Sequence, residues 1–203
     1  MTILLTATDQ EILERAVQLG LAHAASGISG MIGRPVQVRA LRVSILPSEQ
    51  IADRISAGEE SVVGISLTLG GDWSARVILL FDPDHARELV DLLLGQPRGT
   101  TRGLDDMSRS ALAEVGNVMG AFFAGSIADL AGALFVPSTP IVEEAPARAL
   151  LDRRLADLGS ESDSVLLIET VIAEDPEGIG GYFLVVPDPS QLQHLVDTLR
   201  NNQ

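Results

Sequence analysis

The 203-residue sequence contains no cysteine, which excludes a disulfide framework and any chemistry that depends on a thiolate. Aromatic residues are also scarce, at 3% of the chain, although 46% of the residues are hydrophobic. The core must therefore be built mainly from Leu, Val, Ile and Ala, as it commonly is in packed helices and buried strands. A chain of this length can bury such a core as one large domain without a structural metal or a disulfide.

Basic residues are outnumbered, with 14 Lys and Arg against 28 Asp and Glu, and the formal net charge is -14. This balance argues against a nucleic acid as ligand, because no basic patch is present to displace the counterions of a phosphate backbone. It favours solubility and partners with basic surfaces.

Long hydrophobic runs are missing as well. Charged residues or glycines interrupt the apolar stretches well before the ~20 residues that a bilayer-spanning helix needs. The start of the chain, Met1 to Leu5, lacks the basic residues and the long apolar body of a signal peptide. We therefore expect a cytoplasmic protein with neither a membrane nor a nucleic acid as partner.

The sequence contains an internal repeat. The pattern Asp-Pro, then Leu-Val-Asp, then Leu occurs at 82–93 and again at 188–199, with one offset of 106 residues throughout. Each copy follows glycines and an apolar run, which predicts a buried strand. Asp-Pro predicts the start of a helix, because proline is tolerated in the first turn and an acid is favourable at the positive helix end.

The two halves share an order of elements that predicts the fold class. Long helical regions at 9–32 and 106–132 each precede strand-like runs and a hairpin, near 62–81 and 164–186. We expect one α/β (α+β) domain over residues 1–203, with a pseudo-twofold, mostly antiparallel sheet and the two long helices on one face. Its two repeats would span about 9–94 and 104–201, joined by a Gly-, Pro- and Thr-containing linker at 95–103.

The second long helix carries the polar residues of most interest. Ser110, Glu114 and Asn117 are followed after 22 residues by Pro140. At about 100° per residue, the first three fall within about 60° of each other, opposite an apolar helix side. The small residues expected further along this polar face are Ala113, Gly120, Ala121 and Ala124. The pattern predicts a flat docking surface that presents a carboxylate and a carboxamide.

This spacing resembles the active-site motif of the CheC/CheX/FliY family of chemotaxis phosphatases, which is Asp or Ser-x3-Glu-x2-Asn-x22-Pro. The Glu-x-Gly-Asn context at 114–117 and the small-residue helix after it strengthen the resemblance. It implies a CheC-like duplicated fold and a hydrolase that dephosphorylates the phospho-aspartate of a CheY-type response regulator in two-component signalling.

The resemblance also implies roles for individual residues. Asn117 would orient the attacking water, since an amide can donate to one oxygen and accept from another, and Glu114 would contact a lysine of the regulator. Ser110 would support the helix surface or a partner contact, and Pro140 would shape the turn into the next strand. Mg²⁺ is expected in the phosphorylated partner, and no metal or cofactor is expected in this protein.

A second site in the first half would be degenerate. Aligning the two long helices places Arg15 opposite Glu114 and Gln18 opposite Asn117, and neither matches the motif. Glu14 is one residue out of register, which is about 100° around the helix.

Two functions remain open at this point. One is the phosphatase. The other is a non-catalytic adaptor of the same fold that binds a CheD-type deamidase, a flagellar switch component or a response regulator. The CheD-type protein is also a candidate partner of the phosphatase.

Metal sites are the less favoured interpretation of two further features. His23, His85 and His194 have no ligand spacing. Asp105 and Asp106 precede the second long helix, where Asp is a favoured capping residue and suits the first turn.

Overall fold

The structure is a computed structural model, and it describes residues 7–55, 60–72, 74–131, 134–156, 165–173 and 178–187. Helices and strands alternate irregularly along these ranges. The helices are α1 (Ala7–Ile32), α2 (Ser48–Ile55), α3 (Pro83–Leu93), α4 (Asp106–Ala131) and α5 (Ala147–Ala156). The strands are β1 (Gln37–Leu46), β2 (Ser61–Gly71), β3 (Ala75–Phe81), β4 (Phe135–Pro137), β5 (Ile141–Pro146), β6 (Val165–Ala173) and β7 (Ile179–Pro187).

The described strands form one seven-stranded sheet in the order β1-β6-β7-β3-β2-β4, with β5 also paired to β2. Every strand pair in it is antiparallel. The predicted hairpins are present as β2–β3 and β6–β7. The predicted mixed fold with a mostly antiparallel sheet is therefore confirmed.

The sheet separates two helical layers. The larger core cluster joins α1, α3 and α4 to one sheet face, where Leu67, Leu79 and Phe183 are buried. A smaller cluster joins α2 and α5 to the other face. The prediction that both long helices pack on one face is confirmed, while the short helices of the second layer were not predicted.

The register between β3 and β7 agrees with the sequence repeat. Ile78 pairs with Leu184, and these two residues are separated by the repeat offset of 106. In the strand order, β3 and β7 are neighbours at the centre, and β2 and β6 lie on their outer sides. The division of the chain into two repeats stays a prediction.

Glycines allow α1 and α4 to pack closely as an antiparallel pair. A Cβ added at Gly27 would lie 2.3 Å from a ring carbon of Phe122 and 2.7 Å from a methyl of Val118. Near the other end of the contact, a Cβ at Gly20 would lie 3.1 Å from the Phe123 ring.

Among the described residues, no helix is long and apolar enough to cross a membrane.

The first Asp-Pro pair begins a helix as predicted. Asp82 is the N-cap of α3 and accepts a 2.8 Å hydrogen bond from the backbone N–H of Asp84, while Pro83 is the first helical residue. The equivalent pair, Asp188 and Pro189, lies outside the described residues.

The aspartate of the repeated Leu-Val-Asp pattern holds the 95–103 segment. Asp91 is 1% exposed, and its carboxylate accepts hydrogen bonds of 3.0 Å and 2.8 Å from the backbone N–H groups of Thr100 and Thr101. Burial alone would raise the pKa of Asp91, but the hydrogen bonds from Thr101, Thr100 and Gly99 outweigh it and lower the pKa below its ordinary value of 3.8. The predicted linker is thus tied to α3.

We expect Asp91→Asn to lower the free energy of unfolding at neutral pH by about 1–3 kcal/mol, because a buried charged acceptor is lost. The folded pKa is depressed, so the contribution is fully present above the ordinary pKa and is lost as the pH falls through the folded one. The difference between the two proteins, measured by denaturant titration, should therefore shrink below about pH 4. Asp152→Asn, at an exposed position, is the matched control. An equal difference at all pH values would contradict the assignment.

Candidate active site

Helix α4 is fixed at its start by Asp105. Its Oδ1 atom accepts a 2.8 Å hydrogen bond from the Ser108 backbone N–H and a 2.6 Å hydrogen bond from the Ser108 hydroxyl. These two bonds lower the pKa of Asp105. Asp106 lies in the first turn, where its charge is favourable. The prediction that these aspartates cap the helix is confirmed.

The motif side chains of α4 lie together on its exposed face. Ser110, Glu114 and Asn117 are all exposed, as is Ala121 one turn further, while Ala113 is half-buried. Asn117 Nδ2 donates a 3.3 Å hydrogen bond to Glu114 Oε2. An amide and a carboxylate are therefore held side by side, with the small side chain of Ala121 beside them.

Two residues expected on this exposed face are buried instead. Gly120 packs against β2, where an added Cβ would lie 2.6 Å from Leu67 Cδ1, and Ala124 is 2% exposed. The prediction that Gly120 lies on the solvent-facing side of α4 is wrong. The physical reason is that α4 contacts both α1 and β2, so burial covers more of the helix than one apolar stripe.

Pro140 is buried and lies against helix α4 at Gly116. A Cβ added at Gly116 would lie 2.6 Å from Ile65 Cγ2 and 3.3 Å from Pro140 Cβ. Pro140 directly precedes β5, in agreement with its predicted place before a strand. Sequence reasoning did not connect it to Gly116, although the Glu-x-Gly-Asn context was a signal that position 116 required a glycine.

Further bonds that the sequence did not reveal hold the segment around Pro140. Two residues earlier, Ser138 donates its backbone N–H to Thr68 O at 2.8 Å, and its hydroxyl accepts from the Thr68 N–H at 2.9 Å. Arg109 Nη1 on α4 donates to Val142 O at 3.3 Å. The edge of the sheet and the start of the motif helix are thus joined.

The first-half counterparts lie far from this site. Arg15 and Gln18 are exposed on α1. Because α1 and α4 are antiparallel, with Gly27 beside Val118 and Gly20 beside Phe123, the Arg15 end of α1 lies away from Glu114. The structure does not bring the two sets of residues together.

No group of three or more His, Asp or Glu in the described parts of the chain is arranged to hold a metal ion. His23 lies between the long helices, where Nδ1 is 3.0 Å from Ser126 Oγ. His194 lies outside the described residues.

Two known proteins are similar to this chain in sequence. No protein-family model matches the chain. It is 23% identical to the CheY-P phosphatase CheC of Bacillus subtilis over 189 residues. The aligned region covers 91% of this chain and 90% of that protein. It is 29% identical over 121 residues to CheC1 of Halobacterium salinarum, across 60% of this chain and 61% of that protein.

Solved structures give the same fold. FliY of Thermotoga maritima matches with a TM-score of 0.81 at 18% identity, over 99% of this chain and 100% of that chain. CheX of Borrelia burgdorferi, in a complex with CheY, BeF₃ and Mg²⁺, matches with a TM-score of 0.55 at 15% identity, over 85% of this chain and 97% of that chain.

The fold is therefore that of the CheC, CheX and FliY proteins. In sequence the chain is similar to CheC proteins, and in fold to FliY and CheX, in agreement with the resemblance that the residues from Ser110 to Pro140 indicated. Its relative from Bacillus subtilis is a CheY-P phosphatase, so this activity occurs within the family.

Proposed function

We propose that this protein is an aspartyl-phosphate phosphatase acting on a CheY-type response regulator. The observation that carries the proposal is the hydrogen bond between Asn117 and Glu114, which pairs an amide with a carboxylate on the exposed face of α4. Two relatives support the class of substrate, since one is a CheY-P phosphatase and another is found in a complex with CheY.

In this proposal Asn117 positions the attacking water. Water attacks the phosphorus atom, the bond between phosphorus and the aspartyl oxygen breaks, and inorganic phosphate and a free carboxylate are released. Asn117 Oδ1 accepts a hydrogen bond from the water and aligns it with the breaking bond. Nδ2 carries two hydrogens, so one remains for the substrate while the other is donated to Glu114.

Glu114 serves the interface. Its Oε2 atom accepts from Asn117, which leaves Oε1 to accept from a lysine of the regulator. The charge on the phosphoryl group would be neutralised within the partner, by its Mg²⁺ and its lysine. Ser110, one turn before Glu114 on the same face, contacts the partner surface.

This division of labour predicts that the protein needs no metal of its own. Metal analysis of the purified protein should find no stoichiometric ion, because Glu114 and Asn117 provide only two ligand side chains for one. The metal-free protein should stay fully active when Mg²⁺ is supplied with the phosphorylated receiver. A tightly held ion on Glu114 would contradict the mechanism.

The test of the proposed function is phosphate release from a phosphorylated receiver domain. Addition of the protein should accelerate release well above the receiver's own hydrolysis. Binding to the same receiver carrying BeF₃ and Mg²⁺ is measured in parallel.

A second candidate is a non-catalytic adaptor, favoured by the loss of both motif side chains at Arg15 and Gln18 in the first half. FliM of H. pylori, whose fold this chain shares, is found in a complex with FliG, which supports a flagellar switch component as partner. Under the adaptor hypothesis, the other candidate partners are a CheD-type deamidase and a response regulator that the protein binds without dephosphorylating it. Receiver binding without accelerated phosphate release would favour the adaptor over the phosphatase.

A further inference from the structure

Helix α4 rests on β2 through two glycines, one turn apart. A Cβ at Gly116 would lie 2.6 Å from Ile65 Cγ2, and a Cβ at Gly120 would lie 2.6 Å from Leu67 Cδ1. Ordinary van der Waals contact begins at 3.4 Å, so both approaches are closer than any side chain would allow. The backbone of α4 is therefore nearer to β2 than a helix with alanine at these positions could be.

The two contacts differ in how easily they could be relieved. Leu67 Cδ1 is the far end of a flexible side chain, which can turn away. Ile65 Cγ2 is bonded directly to Cβ, and a β-branched residue is stiff at χ1. Pro140 closes the other side of Gly116, with Cβ at 3.3 Å and Cγ at 3.4 Å from the position of the added Cβ. Gly116 is thus enclosed between two side chains that have little room to move.

The first half of the chain lacks this arrangement. The alignment of the two long helices places Val17 at the position of Gly116 and Leu21 at that of Gly120. Both are buried, at 1% and 2% exposure. Helix α1 therefore packs through side chains where α4 packs through its backbone, and only α4 carries Glu114 and Asn117.

We propose that Gly116, seated between Ile65 and Pro140, is a positioning residue that sets the height of the Glu114–Asn117 pair above the sheet. The proposal rests on the proposed phosphatase function. Gly116 is adjacent to Asn117 and two residues from Glu114, so a displacement of the helix at this point moves both side chains together. An added methyl group is about 1 Å short of the space it needs, and a shift of that size can cost about 10²-fold in rate.

The test compares Gly116→Ala with Gly125→Ala, a control on the same helix where an added Cβ meets nothing within 4 Å. Phosphate release is measured against receiver concentration, and affinity is measured with the BeF₃-loaded receiver. We expect Gly116→Ala to lower kcat at least about tenfold, with less than about a threefold change in affinity, because the misplaced amide orients water poorly. Gly125→Ala should match wild type in both.

A rescue variant separates positioning from damage to the fold. Ile65→Ala removes Cγ2, and in combination with Gly116→Ala it should restore much of the lost kcat, although Ile65→Ala alone lowers stability. Thermal unfolding of the three variants is measured in parallel, so that a loss of kcat in a fully folded Gly116→Ala protein is separated from a loss of the fold. If Gly116→Ala alone does not fold, the double variant should fold and turn over.

The outcomes distinguish the two proposals. No acceleration by wild type would overturn the phosphatase function itself. With an active wild type, three results would overturn the role of Gly116: activity of Gly116→Ala equal to that of Gly125→Ala, a loss confined to affinity, or a folded double variant with no recovery.

Discussion

Asn117→Ala should lower the maximal rate of receiver dephosphorylation by about 10²-fold or more, while the receiver still binds. The substitution removes the amide that holds the water in line, and a positioning group of this kind can supply several kcal/mol of the barrier reduction. Asn117→Asp should be as inactive. It keeps the acceptor oxygen but loses the Nδ2 donor and places a second carboxylate beside Glu114.

The rate of phosphate release is measured at a saturating concentration of phosphorylated receiver. Thermal unfolding of each variant is measured beside it to compare stability. Asn117 is exposed, so its substitution should change the free energy of unfolding by less than about 1 kcal/mol. Gln18→Ala and Arg15→Ala are the matched controls, because these residues occupy the equivalent positions on α1 and should leave the rate near that of wild type. If the α1 variants lose activity and the Asn117 variants keep it, the assignment of the site is wrong.

The sequence predicted the site helix well because its strongest signals are local. These signals are the aspartates at the start of α4, the Asp-Pro start of α3 and the spacing of Ser110, Glu114 and Asn117. Each depends on a few neighbouring residues. Local signals of this kind predict where a helix begins even when the elements that pack against it are unknown.

The error at Gly120 and Ala124 has a different origin. Helical periodicity assigns a polar and an apolar face, but it cannot show that α4 is buried both by α1 and by β2. Small residues on the border between the faces are equally suited to a docking surface and to close backbone packing. Only the position of Leu67 against Gly120 decides between them.

The second helical layer was missed because its helices are short. Helix α2 has 8 residues and α5 has 10, and runs this short give little helical periodicity. Their place is defined by distant contacts. A Cβ at Gly64 would lie 2.5 Å from Leu150 Cδ1, so a strand glycine makes room for α5. No local pattern joins residues so far apart in the chain.

Substitutions of Glu114 should separate two roles that the structure combines. Glu114→Gln keeps a side-chain oxygen to accept from Asn117 Nδ2 and removes the negative charge. We expect it to raise the half-saturating receiver concentration about tenfold or more, since a hydrogen bond to a charged group contributes about 1.5–3 kcal/mol. Its kcat should stay close to that of wild type, because Asn117 is still held. Glu114→Ala should impair both quantities.

The salt dependence of binding provides an independent measure of the charge. Association of wild type with the receiver carrying BeF₃ and Mg²⁺ should weaken with ionic strength more steeply than association of Glu114→Gln, because a pair of opposite charges across the interface is screened by salt. Arg15→Ala, at the other end of the paired helices, should keep the steep dependence of wild type. If Glu114→Gln instead loses kcat as fully as Glu114→Ala at unchanged affinity, the carboxylate acts on the reacting groups. The contact with the lysine of the regulator would then be wrong.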